Sequence, residues 1–106
     1  KETLIRLSWL TELRRQGERK CEDAYVRGRF VCALGLLREV AIEDPEERDW
    51  LDDVGEVGAL AGLSRKQSEE VAGRNDGAFN GIERYHQHTF SEIADVVEGW
   101  FKDQPR

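Results

Sequence analysis

Residues 30–41, Phe-Val-Cys-Ala-Leu-Gly-Leu-Leu-Arg-Glu-Val-Ala, decide how this chain folds. Arg38 and Glu39 are the only charged residues among them, and Phe30, Leu34, Leu37 and Ala41 recur at helical spacing. The pattern predicts an almost wholly apolar helix over 30–41, and a helix without a polar face belongs inside the molecule. It is the expected central core element, and its neighbours must supply faces that cover it.

Those faces are legible on both sides. Upstream, Ile5, Trp9, Leu10 and Leu13 line one side of a helix predicted from Thr3 to about Gln16, stopped by Gly17. Downstream, Thr89-Phe90-Ser91-Glu92 has the form of a capping box, in which the Thr hydroxyl and the Glu carboxylate satisfy each other's backbone amides. Phe90, Ile93, Ala94, Val97, Trp100 and Phe101 give the helix that follows an apolar face, which is expected to lie against helix 30–41. Ser64-Arg65-Lys66-Gln67 is a second capping box, opening a helix to about Ala72. Asp44-Pro45-Glu46-Glu47 is a third start signal, with Asp as cap, Pro in the first turn and acids at the positive end of the dipole. Trp50, Leu51 and Val54 are expected to form that helix's apolar side. Gly55, Gly58 and Gly62 divide the next stretch into a turn and short helical pieces. Tyr25-Val26, before a turn at Gly28, and residues 84–88 are the two extended candidates, predicted to pair as short antiparallel strands.

At 106 residues the chain suits one small domain, which buries roughly two-thirds of its unfolded surface. The expectation is a mainly α single domain of four to five helices with a short two-stranded antiparallel β element. Beginning at Lys1, the chain reads as processed or trimmed. No apolar run approaches the roughly 18 residues of a membrane span and nothing resembles a signal peptide, so a cytoplasmic protein is expected. Cys21 and Cys32 match no zinc or redox spacing. Cys32 reads as a buried small hydrophobe, with a disulfide across a hairpin as the alternative.

The net charge of −6 is unevenly placed: residues 43–56 carry eight acids against Arg48 alone, a net −7. Phosphate binding needs a basic face, so direct nucleic-acid binding is not expected. A smaller basic cluster, Arg14, Arg15, Arg19, Lys20, Arg27 and Arg29, is expected to solvate a loop or to pair with the acidic segment. The acids make Glu46, Glu47, Asp49, Asp52 and Asp53 the candidate contact residues for a protein partner with a basic surface.

Asn75-Asp76-Gly77 opens like a calcium loop, and Asn80 and Gly81 stand where such a loop wants them. Ala78 and Gln87 do not, and Gln87 replaces the bidentate Glu that supplies the strongest ligand, so the stretch reads as helix termination and a turn. His86 and His88 are spaced as metal ligands often are, with Asp76 as a third candidate, but no further His exists to complete a site. No nucleophile elbow, phosphate-binding Gly loop or H-E-x-x-H pair occurs, so no catalytic residue and no cofactor is assigned.

Two segments carry a resemblance. Cys32-Ala33-Leu34-Gly35-Leu36-Leu37, and Asn75-Asp76-Gly77 followed by Thr89-Phe90-Ser91-Glu92-Ile93-Ala94-Asp95, look like small uncharacterised proteins of phages, prophages and other mobile elements. Those carry a Cys-Cys-Leu-Gly-Val-Leu-like run and a Ser-Phe-x-Glu-Ile-Ala-Asp helix; here Val31 replaces the first Cys, and the piece between Asp76 and Thr89 is longer. The resemblance spans about two-thirds of the chain and implies one compact domain with no activity to carry over. The expected function is therefore a small non-enzymatic acidic binding protein of phage or mobile-element type. An acidic nucleic-acid mimic inhibiting a host defence or DNA-handling protein is the alternative within binding, and a small metal-dependent enzyme centred on His86 and His88 is the alternative outside it.

Overall fold

The computed structural model describes residues 2–21, 25–77 and 86–103, in which the chain forms six α-helices and one β-hairpin. Helix α1 spans Glu2–Arg15, and a 3-10 turn follows at Gly17–Arg19. Strands β1 (Val26–Arg27) and β2 (Phe30–Val31) form the hairpin, and α2 runs Ala33–Ala41. Helices α3 (Pro45–Trp50), α4 (Val54–Ala59), α5 (Arg65–Asp76) and α6 (Phe90–Asp103) complete the order. None of these helices is long and apolar enough to cross a membrane.

Helix α2 is the core element, but it starts three residues later than its hydrophobicity suggests. Residues 30–31 are drawn into β2, where Val26 pairs with Val31 and Arg27 with Phe30 across a turn whose Gly28 has φ +63°. Cys32 then acts as the N-cap, its Sγ accepting from Gly35 N. From Ala33 to Arg38 every residue is buried, so α2 is covered on all sides.

The helix that covers α2 from one side is α1. Trp9 and Leu13 are fully buried, and Trp9 Nε1 donates to the Ala33 carbonyl at 2.9 Å, which satisfies the indole inside the core. The same helix packs along α6, whose Phe90, Ile93, Ala94 and Val97 are buried. The expected contact of α2 with α6 is not one of the principal helix pairings, whereas α1 packs on both helices. Their side chains still belong to one hydrophobic cluster, with Val57, Ala61, Leu63 and Val71 from the α4–α5 side. Helices α4 and α5 pack closely because Gly58 meets Ser68; a Cβ at Gly58 would lie 1.7 Å from Ser68 Oγ.

The capping signals hold. Thr89 Oγ1 accepts from Glu92 N while Glu92 accepts from Thr89 N, and Ser64 and Gln67 form the same reciprocal pair. Helix α5, expected to end near Ala72, runs on to Asp76 because Asn75 is held inside the fold, and Gly77, at φ +84°, then terminates it. Six helices roughly fit the expected four to five, with residues 43–59 forming two of the short ones.

Two further expectations change. Val26 pairs with Val31; of the partner expected for it, residues 84–85 lie outside the described residues, and His86–His88 has no strand structure. In the basic cluster, Arg14 bonds Asp95 at 2.9 Å and Glu98 at 3.2 Å on α6, and Arg19 bonds Glu39 at 3.0 Å on α2. Neither reaches the acidic segment.

Leu34 and Ile93 are almost wholly buried, so Leu34→Ala and Ile93→Ala should each lower stability by about 2–5 kcal/mol in denaturant titrations. Gly99 faces open space on α6, so Gly99→Ala should raise stability by about 0.5–1 kcal/mol.

Candidate functional site

Helix α3 is built as its sequence signals require. Asp44 accepts from Glu46 N at 2.9 Å and Pro45 occupies the first turn. Its packing departs from expectation. Leu51 and Val54 do rest against the core, but the helix ends at Trp50, and the break at residues 51–53 turns Trp50 away from them. No residue of α3 is buried, and Trp50 is 86% exposed.

A helix with no apolar anchorage is held instead through its backbone, and the residue that holds it is Arg38. This side chain is buried beside α2, with Nη1 donating to the carbonyls of Arg48 at 2.7 Å and Leu51 at 2.9 Å. Carbonyls at the end of a helix are short of intrahelical donors and carry the negative end of the dipole, so Nη1 joins the Leu51 amide at the Arg48 carbonyl and caps the Leu51 carbonyl, while the buried Nε bonds no group among the described residues. The Arg38 guanidinium also lies 4.4 Å from the centre of the Tyr25 ring, and Tyr25 Oη donates to the Asp52 carbonyl at 2.7 Å. Tyr25 reaches this position because α2 presents Gly35 to it: a Cβ there would lie 2.0 Å from the Tyr25 carbonyl oxygen. On the outer side Arg48 donates to the carbonyls of Ile42 and Glu43. Burial, reinforced by Cys32, pushes the Tyr25 hydroxyl from 10.0 up to about 12.

The five predicted contact residues divide in two. Glu46, Glu47, Asp49 and Asp52 are exposed, and none forms an ion pair among the described residues. Asp53 instead supports the fold, capping α4 by accepting from Glu56 N at 3.0 Å and bonding Arg65 at 2.8 Å. The Glu56 amide, with the Arg65 guanidinium, holds its carboxyl below the usual carboxylate range. Asp53 is thus committed within the fold, while the other four, within four positions of Trp50 in the chain, form no ion pair among the described residues.

The metal candidates do not converge. His88 Nε2 lies 3.1 Å from Arg74 Nη1, and its Nδ1 bonds the His86 carbonyl, so both ring nitrogens are engaged. Because a guanidinium only donates, Nε2 accepts and the proton sits on Nδ1. Its backbone amide donates to the Arg74 carbonyl at 2.7 Å, which docks the chain ahead of α6 on α5. Asp76 Oδ1 accepts from Asn75 Nδ2 at 2.7 Å, and His86 is exposed. No group of three or more metal-ligating side chains occurs among the described residues, and residues 78–85, including the loop positions Asn80 and Gly81, lie outside them. Neither Arg38 nor Tyr25 stands out in the sequence as part of a site. The one available signal was an arginine, next to Glu39, inside a helix of otherwise apolar residues, which must find acceptors when buried.

Arg38→Met should leave the Leu51 carbonyl without its guanidinium donor and the Arg48 carbonyl with the Leu51 amide alone, destabilise the fold by about 1–3 kcal/mol and speed amide exchange in α3 above that in α1 and α6. The Tyr25 hydroxyl contributes stability that is complete below pH 10 and is lost as the pH rises from 10.0 towards about 12, since the folded state holds that proton more tightly than the unfolded one. Tyr25→Phe should therefore show a shallower fall in melting temperature over that alkaline range than the wild type.

No protein family, curated protein or solved structure matches the chain.

Proposed function

We propose that this chain is a small non-enzymatic binding protein, of the phage or mobile-element type its motifs resemble, that docks the outer face of α3 on a basic surface of a protein partner. The observation that carries this reading is Trp50, 86% exposed on a helix that buries none of its own residues. A tryptophan is the side chain with most to gain from an interface, and tryptophans dominate binding energy where they occur in one. Glu46 and Glu47 stand four and three residues before Trp50, on the same side of the helix. With Asp49 and Asp52 nearby, they give the indole a negatively charged surround. An arginine or lysine of the partner fits there twice over, its cation on the ring face and its N–H groups on the carboxylates. Mutual repulsion among the acids disfavours the free protein, and a basic partner relieves it. Arg38 and Tyr25 hold the helix in place before any partner arrives, which lowers the ordering cost of binding. An inhibitor that imitates nucleic acid needs only carboxylates in a row; the exposed indole favours docking on a protein surface.

Titration with arginine-rich peptides, followed by Trp50 fluorescence and by surface-immobilised kinetics, tests the reading. Affinity should fall steeply with salt as the screening length shortens from about 30 Å at 0.01 M to about 8 Å at 0.15 M. Asp49→Asn with Asp52→Asn should slow association more than it speeds dissociation, and Trp50→Ala should weaken binding by about 2 kcal/mol or more. Binding that ignores salt and all three substitutions, or no binding at low salt, returns α3 to the role of a solvated face.

A further inference from the structure

We propose that Cys21 and Cys32 are a disulfide-forming pair, joined within the folded chain by exchange with a low-molecular-weight disulfide such as oxidised glutathione. Both are thiols in the structure. They are brought together by a piece of backbone pairing beside the hairpin: Lys20 bridges Val31 in parallel, and Cys21 N donates to the Val31 carbonyl at 2.8 Å. The next residues along the two strands are Cys21 and Cys32. Neighbouring strands lie about 4.8 Å apart, and residues opposite one another project to the same side. Strands at that spacing meet the Cα separations of about 4.4–6.8 Å that disulfides span, and the bridge ends one residue before the two cysteines, where the Asn75 amide takes the Cys21 carbonyl and the Ala33 amide in place of a further ladder bond.

A second contact fixes the pair from the other side. Asn75, only 1% exposed, donates from Nδ2 to the Cys21 carbonyl at 2.9 Å and accepts at Oδ1 from Ala33 N, the residue after Cys32, at 3.0 Å. One side chain of α5 therefore clamps the backbone at both cysteines. The Cys32 sulfur is also held, since it accepts from Gly35 N at 3.2 Å. Burial pushes the Cys32 thiol from 9.0 up to about 11, so exchange is slow at neutral pH and quickens as the solution becomes alkaline.

The chemistry balances without any group beyond the oxidant. One cysteine thiolate attacks a sulfur of oxidised glutathione, forms a mixed disulfide and expels one glutathione thiolate. The other cysteine thiolate then attacks the protein sulfur, forms the Cys21–Cys32 bond and expels the second glutathione. The two protons lost by the cysteines pass to the two glutathione thiolates. Oxidation closes a ring around the hairpin that contains Tyr25, the residue that steadies the Asp52 carbonyl.

The test is equilibration of the native chain in glutathione redox buffers, quenched by alkylation and read by mass spectrometry, with the same series repeated in urea. If the fold holds the pair in bonding geometry, the effective concentration of one thiol towards the other should be at least about tenfold higher in native buffer than in urea. The oxidised species should be monomeric, lack two hydrogens and be absent from Cys21→Ser and Cys32→Ser. A native chain that keeps both thiols at every redox ratio, that yields glutathione adducts or disulfide-linked dimers instead, or whose effective concentration does not exceed that in urea overturns the proposal.

Discussion

Helix α2 has no side that water can reach over six consecutive residues, and the arrangement of the rest of the molecule follows from enclosing it. Each fully buried leucine in it contributes on the order of 1.5–3 kcal/mol, so leaving any face uncovered is costly. Helix α1 covers one side, with Trp9 bonded to the Ala33 carbonyl, and the α4–α5 pair covers another. Helix α6 completes the core by packing on α1 and α5.

Arg38 is the exception inside that enclosure, and the exception creates the site. A guanidinium in the core must find acceptors, and the acceptors it finds are the last carbonyls of α3. Helix α3 is therefore attached by polar bonds to its backbone and through Arg48, which leaves Trp50 and the acids of the helix exposed. An apolar anchorage would have consumed Trp50. The division between core and candidate surface thus rests on one buried cation and the tyrosine stacked beside it.

A comparable economy operates at Asn75, where one buried amide satisfies the Cys21 carbonyl and the Ala33 amide. It ties the loop before the hairpin, the start of α2 and the end of α5 into one junction. The proposed binding face and the proposed cysteine pair meet through Tyr25, which lies in the hairpin segment and bonds the Asp52 carbonyl.

Much of this was determined by the sequence alone. Caps at Asp44, Ser64 and Thr89 act between residues two or three apart, so they form wherever the chain lies, and the apolar periodicities of α1 and α6 need no partner to be recognised. The same locality explains where sequence reasoning stopped. Hydrophobicity could not separate Phe30 and Val31 from the helix after them, because a buried strand and a buried helix look alike until a hairpin partner claims the backbone. Nor could it order the helices, since an apolar face specifies burial and not which neighbour provides it. The acidic segment was visible as charge, but only the tertiary structure divided it, committing Asp53 to Arg65 and leaving Glu46, Glu47, Asp49 and Asp52 without an ion pair among the described residues. Trp50 read as core for the same reason. Its exposure depends on Arg38, twelve positions away, whose hydrogen bonds set the end of α3, and no local pattern in the chain encodes a contact between them.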